Sequence, residues 1–150
     1  IQRLKPAQIV VVGGTGAVSS GVEQQLRALS ANVHRISGKD RYATSAAISR
    51  WGWPEGSTSA FIATGDGFAD ALSAGAAAGS IGAPVVLVPG SSSSSPVART
   101  LLNDFGVQQL YIAGGTGAVS SAMEASLKGT RTVTRFSGSD RFDTSARISQ

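Results

Sequence analysis

Gly13–Ser20 reads GGTGAVSS, and Gly114–Ser121 reads GGTGAVSS again. All eight positions are identical, and each copy follows a short apolar run, Ile9–Val12 (IVVV) and Leu110–Ala113 (LYIA). An apolar run that ends at a Gly-Gly turn, Gly13-Gly14 or Gly114-Gly115, and then enters a helix is expected of a strand buried on both faces of a parallel sheet. Downstream, Arg35–Ser49 (RISGKDRYATSAAIS) aligns with Arg135–Ser149 (RFSGSDRFDTSARIS) at ten of fifteen positions. The offset is 101 residues in the first block and 100 in the second. Solenoid periods run to roughly 20–50 residues, so each unit here is expected to be a small domain or half-domain that stacks on its neighbour. The 150-residue chain holds about one and a half such units, a full repeat over about 35–121 and a partial second over 135–150.

Between the two copies, strand and helix signals alternate. Ser19 or Ser20 caps a helix running to about Leu29, with Val22, Leu26 and Leu29 on one side. Val119, Met123 and Leu127 repeat that stripe. Asp40 and Asp140 are the N-caps expected for helices that begin at Arg41 and Arg141. Ala60–Ala63 and Val85–Val88 are further apolar strands, and Ser95-Pro96 reads as an N-cap followed by proline in the first turn. The stretch Ala71–Ala83 (ALSAGAAAGSIGA) predicts a helix that lets its backbone approach a neighbour closely, with Gly75 and Gly79 one turn apart at the contact. The expected fold is α/β, a three-layer αβα arrangement. Ile9–Val12, Ala60–Ala63, Val85–Val88 and Leu110–Ala113 are expected as neighbours in one mainly parallel sheet.

Composition narrows the function classes. The chain has no cysteine, which removes disulfides and thiolate metal sites, and aromatic residues make up only 6%. No apolar run approaches the ~20 residues of a membrane span, and Ile1–Pro6 lacks the apolar core of a signal peptide. Net charge is +4, and ten of the thirteen basic residues are arginine, a side chain suited to bidentate phosphate or carboxylate contacts. The basic residues are scattered and lack interleaved aromatics, so a nucleic-acid partner is not expected.

Catalytic constellations are weak. The Gly13–Gly16 and Gly114–Gly117 turns lack the G-x-G-x-x-G spacing, no lysine follows them, and no acidic residue ends the next strand. A phosphate- or nucleotide-binding α/β enzyme domain is the alternative reading, with Asp66 and Asp70 as its carboxylates. Their spacing at a helix start is better explained by capping and the helix dipole. The single histidine, His34, is replaced by Thr134 in the second copy. No metal site and no cofactor is expected. Arg41 and Arg141 stand out, because a cation in the first turn of a helix opposes the macrodipole. Either a carboxylate such as Asp66 or Asp70 compensates, or the arginines face an acidic ligand.

Taken together, Arg35–Thr44 (RISGKDRYAT), Ala63–Leu72 (ATGDGFADAL), Gly82–Val88 (GAPVVLV) and Leu110–Val119 (LYIAGGTGAV) resemble the type 2 cell-wall-binding repeat, found in tandem on surface proteins of Gram-positive bacteria. The resemblance implies a secreted, non-catalytic anchor at the cell wall or cell surface. Such repeats usually come in threes, pack with pseudo-threefold symmetry and bind anionic secondary polymers. It also implies that other copies of the repeat are partners, as tandem units or in a homo-oligomer. The family's apolar anchoring motif, proline followed by aliphatic residues, corresponds here to Pro84, Val85, Val86 and Leu87, with valine in place of isoleucine or leucine at two positions.

Overall fold

The computed structural model describes residues 1–149, and Gln150, the last residue of the expected partial repeat, lies outside them. Among the described residues, six strands alternate with six helices: β1 (Ile9–Val12), α1 (Ser20–Arg27), β2 (Val33–Ile36), α2 (Arg41–Gly52), β3 (Ser59–Thr64), α3 (Ala69–Ser80), β4 (Val85–Val88), α4 (Pro96–Asp104), β5 (Gln109–Ala113), α5 (Ser121–Lys128), β6 (Thr132–Phe136) and α6 (Arg141–Ile148). Every strand pairing is parallel, as expected when each strand returns through a crossover helix.

The main sheet has the order β4-β3-β5-β6 and is covered on both faces. On one face, Ala46 of α2, Leu101 and Leu102 of α4, and Met123 and Leu127 of α5 pack over Ile62, Val86, Val88, Leu110 and Ile112. On the other, Ala74 and Ala78 of α3 and Ile148 of α6 pack over Phe61, Ala63 and Ala113. Phe61, Tyr111 and Phe136 stack across three strands of this second face, with centroids 4.8 and 6.0 Å apart. The three-layer α/β architecture is therefore present, built from a repeat of about 100 residues.

One expectation is overturned. β1 is not a neighbour of β3, β4 and β5; it pairs only with β2 in a separate two-stranded sheet. The local geometry of the two copies is nonetheless the same, because Ile9 stands opposite Val33 as Leu110 stands opposite Val133. They differ in their neighbours: β5 has β3 on its second edge, and β1 has no strand there.

The same difference explains the helices that follow. In α5, Met123 and Leu127 are fully buried. In α1, which ends at Arg27 rather than near Leu29, no residue is buried, and Val22 and Leu29 are 43% and 42% exposed. Complete burial of such a side chain is worth about 1.5–3 kcal/mol, a contribution α1 lacks. Polar contacts hold it instead, since Arg35 reaches from β2 to Glu23 at 2.7 Å.

The Ala/Gly-rich helix packs closely on the sheet as expected, but not through its glycines. Ala74 and Ala78 make the close approach to the sheet, whereas Gly75 and Gly79 face outward with nothing within 4 Å of where a Cβ would stand. The small residues thus fall on two faces of α3, and only the alanine face is packed.

Candidate functional site

Of the residues singled out from the sequence, Arg41, Asp66 and Leu87 come together beside the start of α2, whereas Arg141 stands apart at the start of α6. Asp40 caps α2 by accepting from Ala43 N–H at 2.8 Å, which sets Arg41 and Tyr42 at the start of the helix. From there Arg41 Nη1 donates to the Gly65 carbonyl at 2.5 Å and Tyr42 Oη donates to Asp66 at 2.9 Å. Arg41 therefore has no ion pair among the described residues; its partner is the backbone of the β3–α3 turn, and its side chain stays exposed. Arg141 is also exposed, with its guanidinium carbon 5.9 Å from the centroid of the Phe142 ring.

Asp66 is a junction rather than a helix cap. Its carboxylate accepts from Tyr42 Oη, from Gly90 N–H at 3.1 Å and from Thr64 Oγ1 at 3.3 Å. The Tyr42 hydroxyl, helped by Gly90 and Thr64, holds the Asp66 carboxyl below the usual carboxylate range, against the opposing effect of partial burial. Partial burial pushes the Tyr42 phenol up, and Asp66 beside it acts in the same direction. The capping expected of Asp66 and Asp70 is not observed: α3 has Phe68 at its N-cap position with no side-chain bond there. Asp70 lies in the first turn of α3, where its charge suits the helix dipole, with its carboxylate against Gly114.

The two Gly-Gly turns share one backbone conformation. Gly13 and Gly114 both adopt φ of +103°, which favours glycine. The Gly13 carbonyl accepts from Arg35 Nη1 and the Gly114 carbonyl from Arg135 Nη1. Arg35 also reaches the Val18 carbonyl and Glu23, while Arg135 meets Glu124 at 2.7 Å. Gly14 and Gly115 each accept two N–H bonds that close the turn, from Ala17 and Val18 and from Ala118 and Val119. In the second copy the turn is pressed against Gly90, where any side chain would collide with the Ala118 carbonyl.

Strand β4 divides the apolar motif. Pro84 and Val86 are buried, so they are unavailable to a ligand, whereas Val85 and Leu87 point to the half-open face. There they join Val12, Gly13, Ile48, Lys39 and Arg41 in lining a groove of about 640 Å³. Its other lining is largely apolar, and the charged residues Lys39, Asp40 and Arg41 line one end.

Two features were not anticipated. Ser45 Oγ donates to the Val85 carbonyl and accepts from Leu87 N–H, which seals the outer edge of β4. Glu23 and Glu124 are the partners of the repeated arginines. Both were in principle available, since Ser45 and Ser145 match between the copies, as do Glu23 and Glu124. Among the described residues, no group of three or more histidine or acidic side chains is placed to hold a metal ion, and no helix is long and apolar enough to cross a membrane.

Comparison with known proteins places these features in a family. The sequence profile described as cell wall binding domain 2 matches residues 35–124. The chain is 32% identical over 151 residues to the N-acetylmuramoyl-L-alanine amidase LytC of Bacillus subtilis, covering 100% of this chain and 29% of that protein. It is 34% identical over 150 residues to the amidase enhancer of the same organism, covering 99% of this chain and 19% of that protein. It thus spans less than a third of either relative. Among solved structures, Cwp8 from Clostridium difficile aligns with a TM-score of 0.83 at 34% identity, over 97% of this chain and 24% of that one. Cwp6 from the same organism aligns with a TM-score of 0.87 at 28% identity, over 98% and 24%. With the repeat, the parallel α/β fold and the profile match in agreement, the chain belongs to the cell wall binding domain 2 family.

Proposed function

We propose that this chain is a non-catalytic module that anchors a secreted protein to anionic secondary polymers of a Gram-positive wall, either teichoic-acid-like chains or another secondary polysaccharide. The observation that carries the reading is that essentially the whole chain, itself of a cell wall binding family, matches segments of two proteins whose names give them different roles, an amidase and an amidase enhancer. A segment common to both is better assigned to what they share, residence at the wall, than to the chemistry that separates them. The functional unit is the repeat over residues 35–121, with residues 135–150 opening a further one.

The charge distribution supports an anionic ligand. Arg27, Arg35, Arg50, Arg135 and Arg147 are spent on carboxylates within the chain. Arg41 and Arg141 are exposed and free of such pairs among the described residues, and Arg41 stands with Lys39 at the rim of the groove that Val85 and Leu87 line. Asp66 acts as the support that fixes Tyr42 next to Arg41. Other copies of the repeat are the second class of partner, in tandem or as a homo-oligomer, since Val12, Phe68 and Leu72 leave apolar surface open.

Co-sedimentation with purified Gram-positive walls, before and after the secondary polymers are stripped from the peptidoglycan, tests the reading. Binding to intact walls that is lost on stripping is the expected result; equal binding to both preparations would overturn it.

A further inference from the structure

Both tryptophans of the chain, Trp51 and Trp53, lie at the end of α2, remote from Lys39 and Arg41 at its start. Trp51 is 48% exposed. Trp53 is half-buried and held three times: its indole N–H donates to the Gly82 carbonyl, its backbone N–H donates to the Ser49 carbonyl, and its own carbonyl accepts from Gly56 N–H. Gly56, at φ of +83°, lets the turn lie against Phe105, where a Cβ would stand 2.8 Å from the Phe105 carbonyl oxygen. An indole whose N–H is already engaged inside the chain offers a ligand its ring and not a hydrogen bond. Between this turn and the end of α4 lies a cleft of about 450 Å³, with Trp53, Pro54 and Phe105 as apolar walls and Arg50, Glu55 and Asp104 as charged ones.

The cleft differs in charge from the chain as a whole. The protein carries a net +4, yet here two carboxylates accompany one guanidinium, and that guanidinium, Arg50, is already paired with Asp104 at 2.7 Å. Glu55 is exposed and makes no ion pair among the described residues. Two helices also end here, α2 at Gly52 and α4 at Asp104, and the carboxyl end of a helix carries partial negative charge. Asp104 stands against the dipole of its own helix, and Pro54 has no N–H to return to the last carbonyls of α2. The bonds that hold the turn are made by Trp53 and Gly56, so its shape does not depend on the Glu55 side chain.

We propose that this cleft binds a quaternary ammonium group. A cation over an aromatic ring is attracted by the ring quadrupole, and tryptophan is the strongest of the aromatic side chains in this respect. Methyl groups on the nitrogen suit the walls formed by Pro54 and Phe105, while Glu55 and the two helix ends meet the charge. A primary ammonium is more strongly hydrated and loses more on entering a cleft with apolar walls. Anions are disfavoured by the field that draws the cation. The cleft and the Lys39–Arg41 rim stand at opposite ends of a helix of 12 residues, about 18 Å at 1.5 Å per residue. The inference therefore goes beyond the anionic-polymer reading and does not rest on it.

No tryptophan lies elsewhere in the chain, so the indole N–H resonances report this end of the protein alone. Titration with tetramethylammonium chloride, against sodium chloride at equal ionic strength, should give a saturable shift of the Trp53 indole resonance. Neopentyl alcohol has a similar shape without the charge, and methylammonium chloride has the charge with a single methyl group; each should bind several-fold more weakly. Glu55→Gln should weaken tetramethylammonium binding several-fold with Tm unchanged. Arg50→Gln, which removes the competing cation and frees Asp104, should strengthen it. Absence of a saturable shift would overturn the proposal, as would equal binding of neopentyl alcohol or methylammonium. So would Glu55→Gln and Arg50→Gln proteins that bind as the unaltered chain does. None of these readouts involves walls, so failure here leaves the polymer reading intact, and loss of wall binding leaves this one intact.

Discussion

Ser45 on α2 and Leu87 on β4 are joined by a hydrogen bond of 3.0 Å, from the Leu87 N–H to Ser45 Oγ, and the same hydroxyl donates to the Val85 carbonyl at 3.1 Å. One side chain thus satisfies two of the outward-facing backbone groups of an edge strand. An exposed edge invites pairing with other chains; here a helix closes it, and Ser45 is only 6% exposed.

Ser45→Ala should therefore cost about 1–3 kcal/mol, because it leaves a buried N–H and carbonyl unpaired rather than merely removing a contact. Denaturant unfolding should show a lower midpoint with an unchanged slope.

The Tyr42–Asp66 bond makes a prediction for both ends of the pH scale. Asp66 has a folded-state pKa below its ordinary value, so its contribution is present above the unfolded carboxylate pKa and is lost as pH falls through the lowered folded value. Tyr42 is raised, so its contribution is present below the ordinary phenol pKa and is lost as pH rises through the raised one. Tyr42→Phe should move the Asp66 carboxyl resonance titration back toward the ordinary range and flatten the acid side of the stability profile. An unchanged Asp66 titration would mean that Gly90, Thr64 and the nearby Arg41 charge hold it without Tyr42.

Gly75→Ala should stabilise the protein by about 0.5–1 kcal/mol, since glycine inside a helix is disfavoured by that amount relative to alanine. A Cβ at Gly75 meets nothing within 4 Å, the reverse of the close contact expected there from the Ala/Gly-rich sequence. A rise in Tm checks it; a fall would place a neighbour on that face.

How much of this was legible in the sequence depends on how local the cause is. The caps at Asp40, Asp140 and Ser95 were readable, since a short polar side chain ahead of a helix acts within three residues. So were the buried strands, whose apolar runs leave no polar face to expose. The separation of β1 from the main sheet was not, because β1 and β5 carry nearly the same local signal and differ only in what stands beside them. Arg41 was recognised as anomalous, with either a carboxylate of the chain or an acidic ligand expected to compensate it. Its actual partner is the Gly65 carbonyl, and backbone acceptors leave no mark in the sequence. Of the four residues of the apolar motif, alternation along β4 sends Val85 and Leu87 one way and Val86 the other, and only the placement of α2 decides which side is open.

Arg41 and Arg141 provide the most direct test of ligand binding. Arg41 makes one bond, to a neutral carbonyl, from an exposed position, so replacing it by glutamine should shift Tm little; glutamate is less clean, because it would set a carboxylate near Asp66. If the two arginines meet phosphate or carboxylate groups of the polymer, Arg41→Gln with Arg141→Gln should weaken wall binding several-fold. Binding by the unaltered chain should fall with added salt, because exposed charges are screened beyond about 8 Å at physiological ionic strength. Each lost contact also lowers the number of ions displaced on binding, so the double variant should show a shallower dependence on salt as well as a weaker affinity. The two effects belong together. A weaker affinity with an unchanged salt slope would point to altered shape at the groove rather than lost charge, and binding unaltered in both respects would assign the polymer to another surface.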